Sequence, residues 1–131
     1  MTRPSEKVTV VVGDDHPMYR EGVVRAMKET GRIDVVAEAG DGRAALDAIR
    51  EHSPAVALLD YRMPELDGLA VVTAVTRDGL PTRVLLLSAT DDPATVSEAR
   101  EHPEAFAKKM VQQVTDHYLE AIAGLDRSPA V

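Results

Sequence analysis

The feature that most limits the fold is a set of short apolar runs recurring at helix-sized intervals. Val8 to Val12 is apolar but for Thr9, and the runs IDVVAEA, AVALLD and RVLLLS follow at 33–39, 55–60 and 83–88. Each has the length of a strand, and nearly unbroken apolar runs belong to strands covered on both faces. The segments between them carry helix signals. Pro17 suits a first helical turn, where its missing N–H is not needed. Met18, Val23, Ala26 and Met27 line one face as far as Thr30, and Gly31 supplies the stop. Asp41 caps a helix carrying Ala45, Leu46 and Ile49; after the loop MPELDG, Asp67 caps another over Leu69, Val72 and Val75. Pro93 opens a further helix. Strand and helix alternate four times, which calls for a mostly parallel, doubly wound α/β sheet with helices on both faces.

The last third admits two readings. A fifth strand near AFAKK and a final helix over TDHYLEAIAG would complete a five-stranded sheet. Yet Phe106, Met110, Val114, Tyr118 and Ile122 recur every four residues, which fits one long helix from about Pro103 to Leu125. Residues 1–7 read as a flexible lead, 8–125 as one domain, and 126–131 as a tail or the start of a linker.

Composition narrows the function. A chain of 131 residues suffices for one domain with a sizeable core. The absence of Cys removes disulfides and thiolate metal sites and fits a reducing, cytoplasmic setting. No run is long enough to span a membrane, and the lead lacks an apolar signal core. A net charge of −7 repels phosphate backbones, and with no Trp and one Phe base stacking is poorly supplied. Direct nucleic-acid binding by these residues is therefore disfavoured.

Doubly wound sheets gather their chemistry at the carboxyl ends of the strands. Asp14 and Asp15 follow the first strand, Asp60 ends the third and Ser88 ends the fourth. Singly, each reads as a turn or cap residue. Together, with the first strand between its neighbours, they would share one pocket. Three crowded carboxylates raise one another's pKa, and a hard divalent cation relieves the repulsion. Mg²⁺ takes a few carboxylate oxygens plus waters and a substrate phosphate. A carboxylate can also attack phosphorus to give an aspartyl phosphate.

The segments VVVGDDHPMYREG, VVAEAGDGRAAL, LLDYRMPELDG and VLLLSA resemble a bacterial two-component response-regulator receiver domain, and DDHPMYREG resembles its NarL/LuxR subfamily. The resemblance implies a flavodoxin-like five-stranded fold. It implies Asp60 as phosphoacceptor from a sensor histidine kinase, with Mg²⁺ or Mn²⁺ held by Asp15, by Asp14 through water, by Asp60 and by the backbone carbonyl of Arg62. Ser88 would bind a phosphoryl oxygen beside the small Ala89, while Met63, Pro64 and Gly68 shape the loop after the nucleophile. Ser88 with Phe106 would form the switch. The family Lys follows an aromatic by three residues, a spacing matched by Phe106 and Lys109, with Lys108 adjacent. The Gly-Ala and Gly-Tyr steps that precede that Lys in the family are replaced here by EHPEAFAKKM. Activation would favour a homodimer, and DNA would be met only through an output domain outside this chain.

Two other functions compete. One is an atypical receiver acting as a dimerisation module, with a continuous terminal helix exchanged between copies. The other is an aspartyl phosphatase of the haloacid-dehalogenase type, which wants an acid two residues after the nucleophile. Arg62 stands at that position.

Overall fold

The computed structural model describes residues 7–87, together with Glu101 and Gln112, both helical. The described elements run β1 (Val8–Gly13), α1 (Pro17–Glu29), β2 (Ile33–Ala39), α2 (Gly42–His52), β3 (Val56–Asp60), α3 (Gly68–Arg77) and β4 (Arg83–Leu87). The four strands form one parallel sheet in the order β2-β1-β3-β4. The expected placing of the first strand between its neighbours is therefore met.

Strand alternation sends successive side chains to opposite faces, and each face has its own core. Val10, Val12, Val56 and Leu58 pack with Val23, Val24, Ala26 and Met27 of α1. Val11, Ala57 and Leu59 pack with Ala45, Leu46 and Ile49 of α2 and Val71, Ala74 and Val75 of α3. All five residues of β3 are buried, as its unbroken apolar run requires. β2 pairs only with β1 among the described residues, and its middle is partly exposed. Its register slips between Val10 and Val11, because Val10 faces Val35 while Val11 faces Ala37. Val36 is thus the extra residue of a bulge.

The signals for the three described helices hold, with two residues misplaced on their faces. Pro17 opens α1, Thr30 is its C-cap, and Gly31 follows with φ +70°, a conformation glycine adopts without strain. Asp41 and Asp67 cap α2 and α3, accepting from the backbone N–H of Ala44 and Ala70 at 2.7 and 2.8 Å. Met18, expected on the core face of α1, is 71% exposed, and Leu69, expected on that of α3, is 52% exposed. Val23, Ala26 and Met27 are buried as expected, with Gly22 and Val24 beside them; in α3 the expected Val75 is buried with Gly68, Val71 and Ala74. Val72 is only partly buried.

The residues on which the choice between a fifth strand and a long helix turns, 102–111, lie outside the described residues. So do Pro93 and its helix, and Ser88, the expected last residue of the fourth strand. Among the described residues, no helix is long and apolar enough to cross a membrane.

Candidate functional site

Parallel pairing of β1 with β3 brings Gly13 level with Leu59. One residue further on, Asp14 and Asp60 leave neighbouring strand ends. Counting by twos from Val10 and Val12, and from Val56 and Leu58, puts both on the α1 side of the sheet. Their burial is nearly complete, at 9% exposure for Asp14 and 8% for Asp60. Asp15 is more open. One carboxylate oxygen from each of Asp14, Asp15 and Asp60 and one ring nitrogen of His16 all lie within 4.8 Å of one another.

His16 is the N-cap of α1, but its side chain caps no helical N–H. The ring turns back on the acids instead. Nδ1 stands 2.9 Å from Asp14 Oδ1, 3.0 Å from Asp15 Oδ1 and 3.9 Å from Asp60 Oδ2. The His16 backbone N–H donates to the same Asp14 oxygen at 2.9 Å. From the next turn of α1, Arg20 donates through Nη1 to the Asp14 carbonyl oxygen at 2.7 Å and through Nε to Glu38 of β2 at 3.4 Å. One guanidinium thus ties α1 to the ends of two strands.

Crowding shows in the proton affinities. Burial, then the Asp14 carboxylate, pushes the Asp60 carboxyl up to about 6; a hydrogen bond from the Arg62 backbone and the nearby His16 act the other way. The His16 imidazole is raised above its usual range, chiefly by its hydrogen bond to Asp14. A nearly buried carboxylate pressed by like charges gains most from a cation placed among them. Three carboxylates opening into a space of this size suit a hard divalent cation such as Mg²⁺, so the donor set fits the cofactor expected from sequence.

The loop after Asp60 is pinned at several points. Met63 is buried in the α2–α3 core. The Pro64 carbonyl accepts from Leu66 N–H at 2.8 Å and from Gly42 N–H at 3.1 Å, and Gly68 N–H donates to the Tyr61 carbonyl at 2.7 Å. Glu65 takes a left-handed conformation, with φ 72°. Gly42 has a steric reason: a Cβ there would run into the Leu66 backbone carbonyl.

Of the residues predicted from sequence, Asp14, Asp15 and Asp60 are brought together, and Met63, Pro64 and Gly68 shape the loop as expected. For Arg62 the structure gives a backbone donor to Asp60. Ser88, Ala89, Phe106, Lys108 and Lys109 lie outside the described residues. Sequence reasoning missed His16 and Arg20. A histidine directly after two strand-end acids, with the following Pro17 fixing the helix start, is the signal that could have found the first.

Residues 10–125 match the family described as response regulator receiver domain. A Mycobacterium tuberculosis protein named "Probable transcriptional regulatory protein NarL" is 61% identical over 100 residues, which are 76% of this chain and 46% of that protein. The nitrate/nitrite response regulator protein NarP of Escherichia coli is 37% identical over 87 residues, 66% of this chain and 40% of the relative. This chain therefore spans less than half the length of either. The solved signal receiver domain of NarL from Mycobacterium tuberculosis superposes with a TM-score of 0.70 at 52% identity, covering 85% of this chain and 95% of that one. By its parallel sheet, by its acidic strand ends and by these similarities, this chain belongs to the response regulator receiver domain family, in its NarL/LuxR-type branch.

Proposed function

We propose that Asp60 accepts a phosphoryl group from the phosphohistidine of a sensor kinase. An Asp60 oxygen forms the new bond to phosphorus as the phosphorus–nitrogen bond of the donor breaks, leaving an acyl phosphate and a neutral donor imidazole after proton uptake. The single observation that carries this reading is the nearly buried Asp60 carboxylate beside Asp14 and Asp15 at the carboxyl edge of a parallel sheet. A bound Mg²⁺ or Mn²⁺ would neutralise charge on the phosphoryl oxygens. Asp14, Asp15, Asp60 and the backbone carbonyl of Arg62 would hold it. Arg62 N–H orients the attacking carboxylate, and the pinned loop from Met63 to Gly68 keeps that N–H in place. Ser88 and Lys109 would contact the phosphoryl group, and Ser88 with Phe106 would relay its presence.

In this reading residues 8–125 form one receiver that works as a signalling domain, with phosphotransfer and hydrolysis only on itself. The phosphoryl group adds about two negative charges at one strand end and favours a dimer. Regulation of transcription would follow through a separate DNA-binding domain, and the setting would be the cytoplasm. Exposure of the chain to a small acyl phosphate with Mg²⁺ tests it. The expected result is a phosphoryl mass increase on Asp60, lost in Asp60→Asn and on chelation. No Asp60-dependent label with Mg²⁺ or Mn²⁺ would overturn it.

A further inference from the structure

We propose that His16 is a fourth side-chain ligand of the cation held by Asp14, Asp15, Asp60 and the Arg62 carbonyl, and that its nitrogen tilts the site from Mg²⁺ toward divalent transition metals. The proposal rests on the reading of the acidic cluster as a cation site and adds a residue and a selectivity to it.

The spacing of donor atoms carries the argument. An octahedral cation with bonds of about 2.1 Å has adjacent ligands roughly 3.0 Å apart and opposite ligands roughly 4.2 Å apart. His16 Nδ1 lies 2.9 and 3.0 Å from the Asp14 and Asp15 oxygens and 3.9 Å from Asp60. The nitrogen stands at adjacent-ligand distance from Asp14 and Asp15 and somewhat short of opposite-ligand distance from Asp60. Its place is set by the backbone: the His16 N–H is fixed on Asp14, and Pro17 holds the helix start behind it. The Tyr19 ring packs against the imidazole in a T-shaped arrangement, with centroids 5.8 Å apart at 69°. Because the side chain performs no capping, ligation would cost the helix nothing. Any proton on Nδ1 would pass to solvent on ligation, leaving the Nδ1 lone pair for the cation.

Donor chemistry then sets the preference. Carboxylate oxygens alone suit Mg²⁺, whereas an imidazole nitrogen adds affinity for cations in the rising order Mn²⁺, Co²⁺, Ni²⁺ and little for Mg²⁺. The whole chain is titrated with MgCl₂, MnCl₂ and CoCl₂ by calorimetry, with the visible ligand-field bands of Co²⁺ as a second readout. His16→Ala removes the donor; His16→Asn keeps a good helix N-cap and a short polar side chain without the imidazole.

Wild type is expected to bind Co²⁺ at least about 30-fold tighter than Mg²⁺, and both variants to lose at least about 10-fold for Co²⁺ while Mg²⁺ changes less than about threefold. The Co²⁺ bands should shift in both. Equal losses for the two metals, unchanged Co²⁺ binding, or a gain for both metals would overturn the proposal; in the last case the ring is an obstacle. If Asp60 is still labelled in Mg²⁺ while Co²⁺ binding ignores His16, this inference falls and the phosphoacceptor reading stands. If wild type binds no divalent cation, both fall.

Discussion

Burial and the neighbouring Asp14 lift Asp60 from 3.8 to about 6, and that shift has a consequence for stability. The folded chain holds this proton more tightly than the unfolded chain does. The contribution is therefore fully present below the unfolded value near 4 and is lost as pH climbs to about 6, a loss of about 3 kcal/mol at most. His16 is also raised, so its contribution is present below its ordinary value near 6.5 and is lost as pH rises beyond it. Asp60→Asn should then be more stable than wild type at pH 7 in EDTA, with the gap closing toward pH 4. Urea unfolding across that range measures it. The place of Asp60 was legible because a strand of apolar residues ends on it. The turn of His16 onto the acids was not, because a lone histidine in a turn is ambiguous until the backbone sets its direction.

At the scale of elements, the two Asp caps carry a direct expectation. Asp41→Ala and Asp67→Ala each remove an acceptor for a helical N–H and should cost about 1 kcal/mol apiece in denaturant midpoint analysis. Gly42→Ala should cost more, on the order of 1–3 kcal/mol, since its Cβ meets the Leu66 backbone and either α2 or the loop must shift. Strand positions were readable because short, mostly apolar runs bounded by turn signals have few other uses. The burial face of α3 was not, because Leu69, Ala70, Val71, Val72, Ala74 and Val75 wrap apolar surface around most of the helix, and only packing on the sheet selects Val71, Ala74 and Val75. Met18 misled for a different reason: it lies in the first turn of α1, ahead of the buried residues that begin at Gly22. The β2 bulge at Val36 leaves no mark in a sequence whose alternation is already irregular.

For the molecule as a whole, the acidic balance of −7 and the cluster at the sheet edge act together. A cation bound only by the folded chain stabilises it by about 2.7 kcal/mol at one hundred times its dissociation constant, which for a domain this size is a Tm rise of roughly 10 °C. Calorimetry with and without MgCl₂ should show that rise in wild type and its loss in Asp15→Asn. The strand order places this edge between β1 and β3, so the sheet's own topology decides where charge collects. The Gly42 N–H clasped by the Pro64 carbonyl joins that edge to the far side of the sheet. Whatever rearranges the residues following Asp60 must also tug on the opening turn of α2, so deuterium uptake at the Gly42 amide would keep time with events at the acid it never touches.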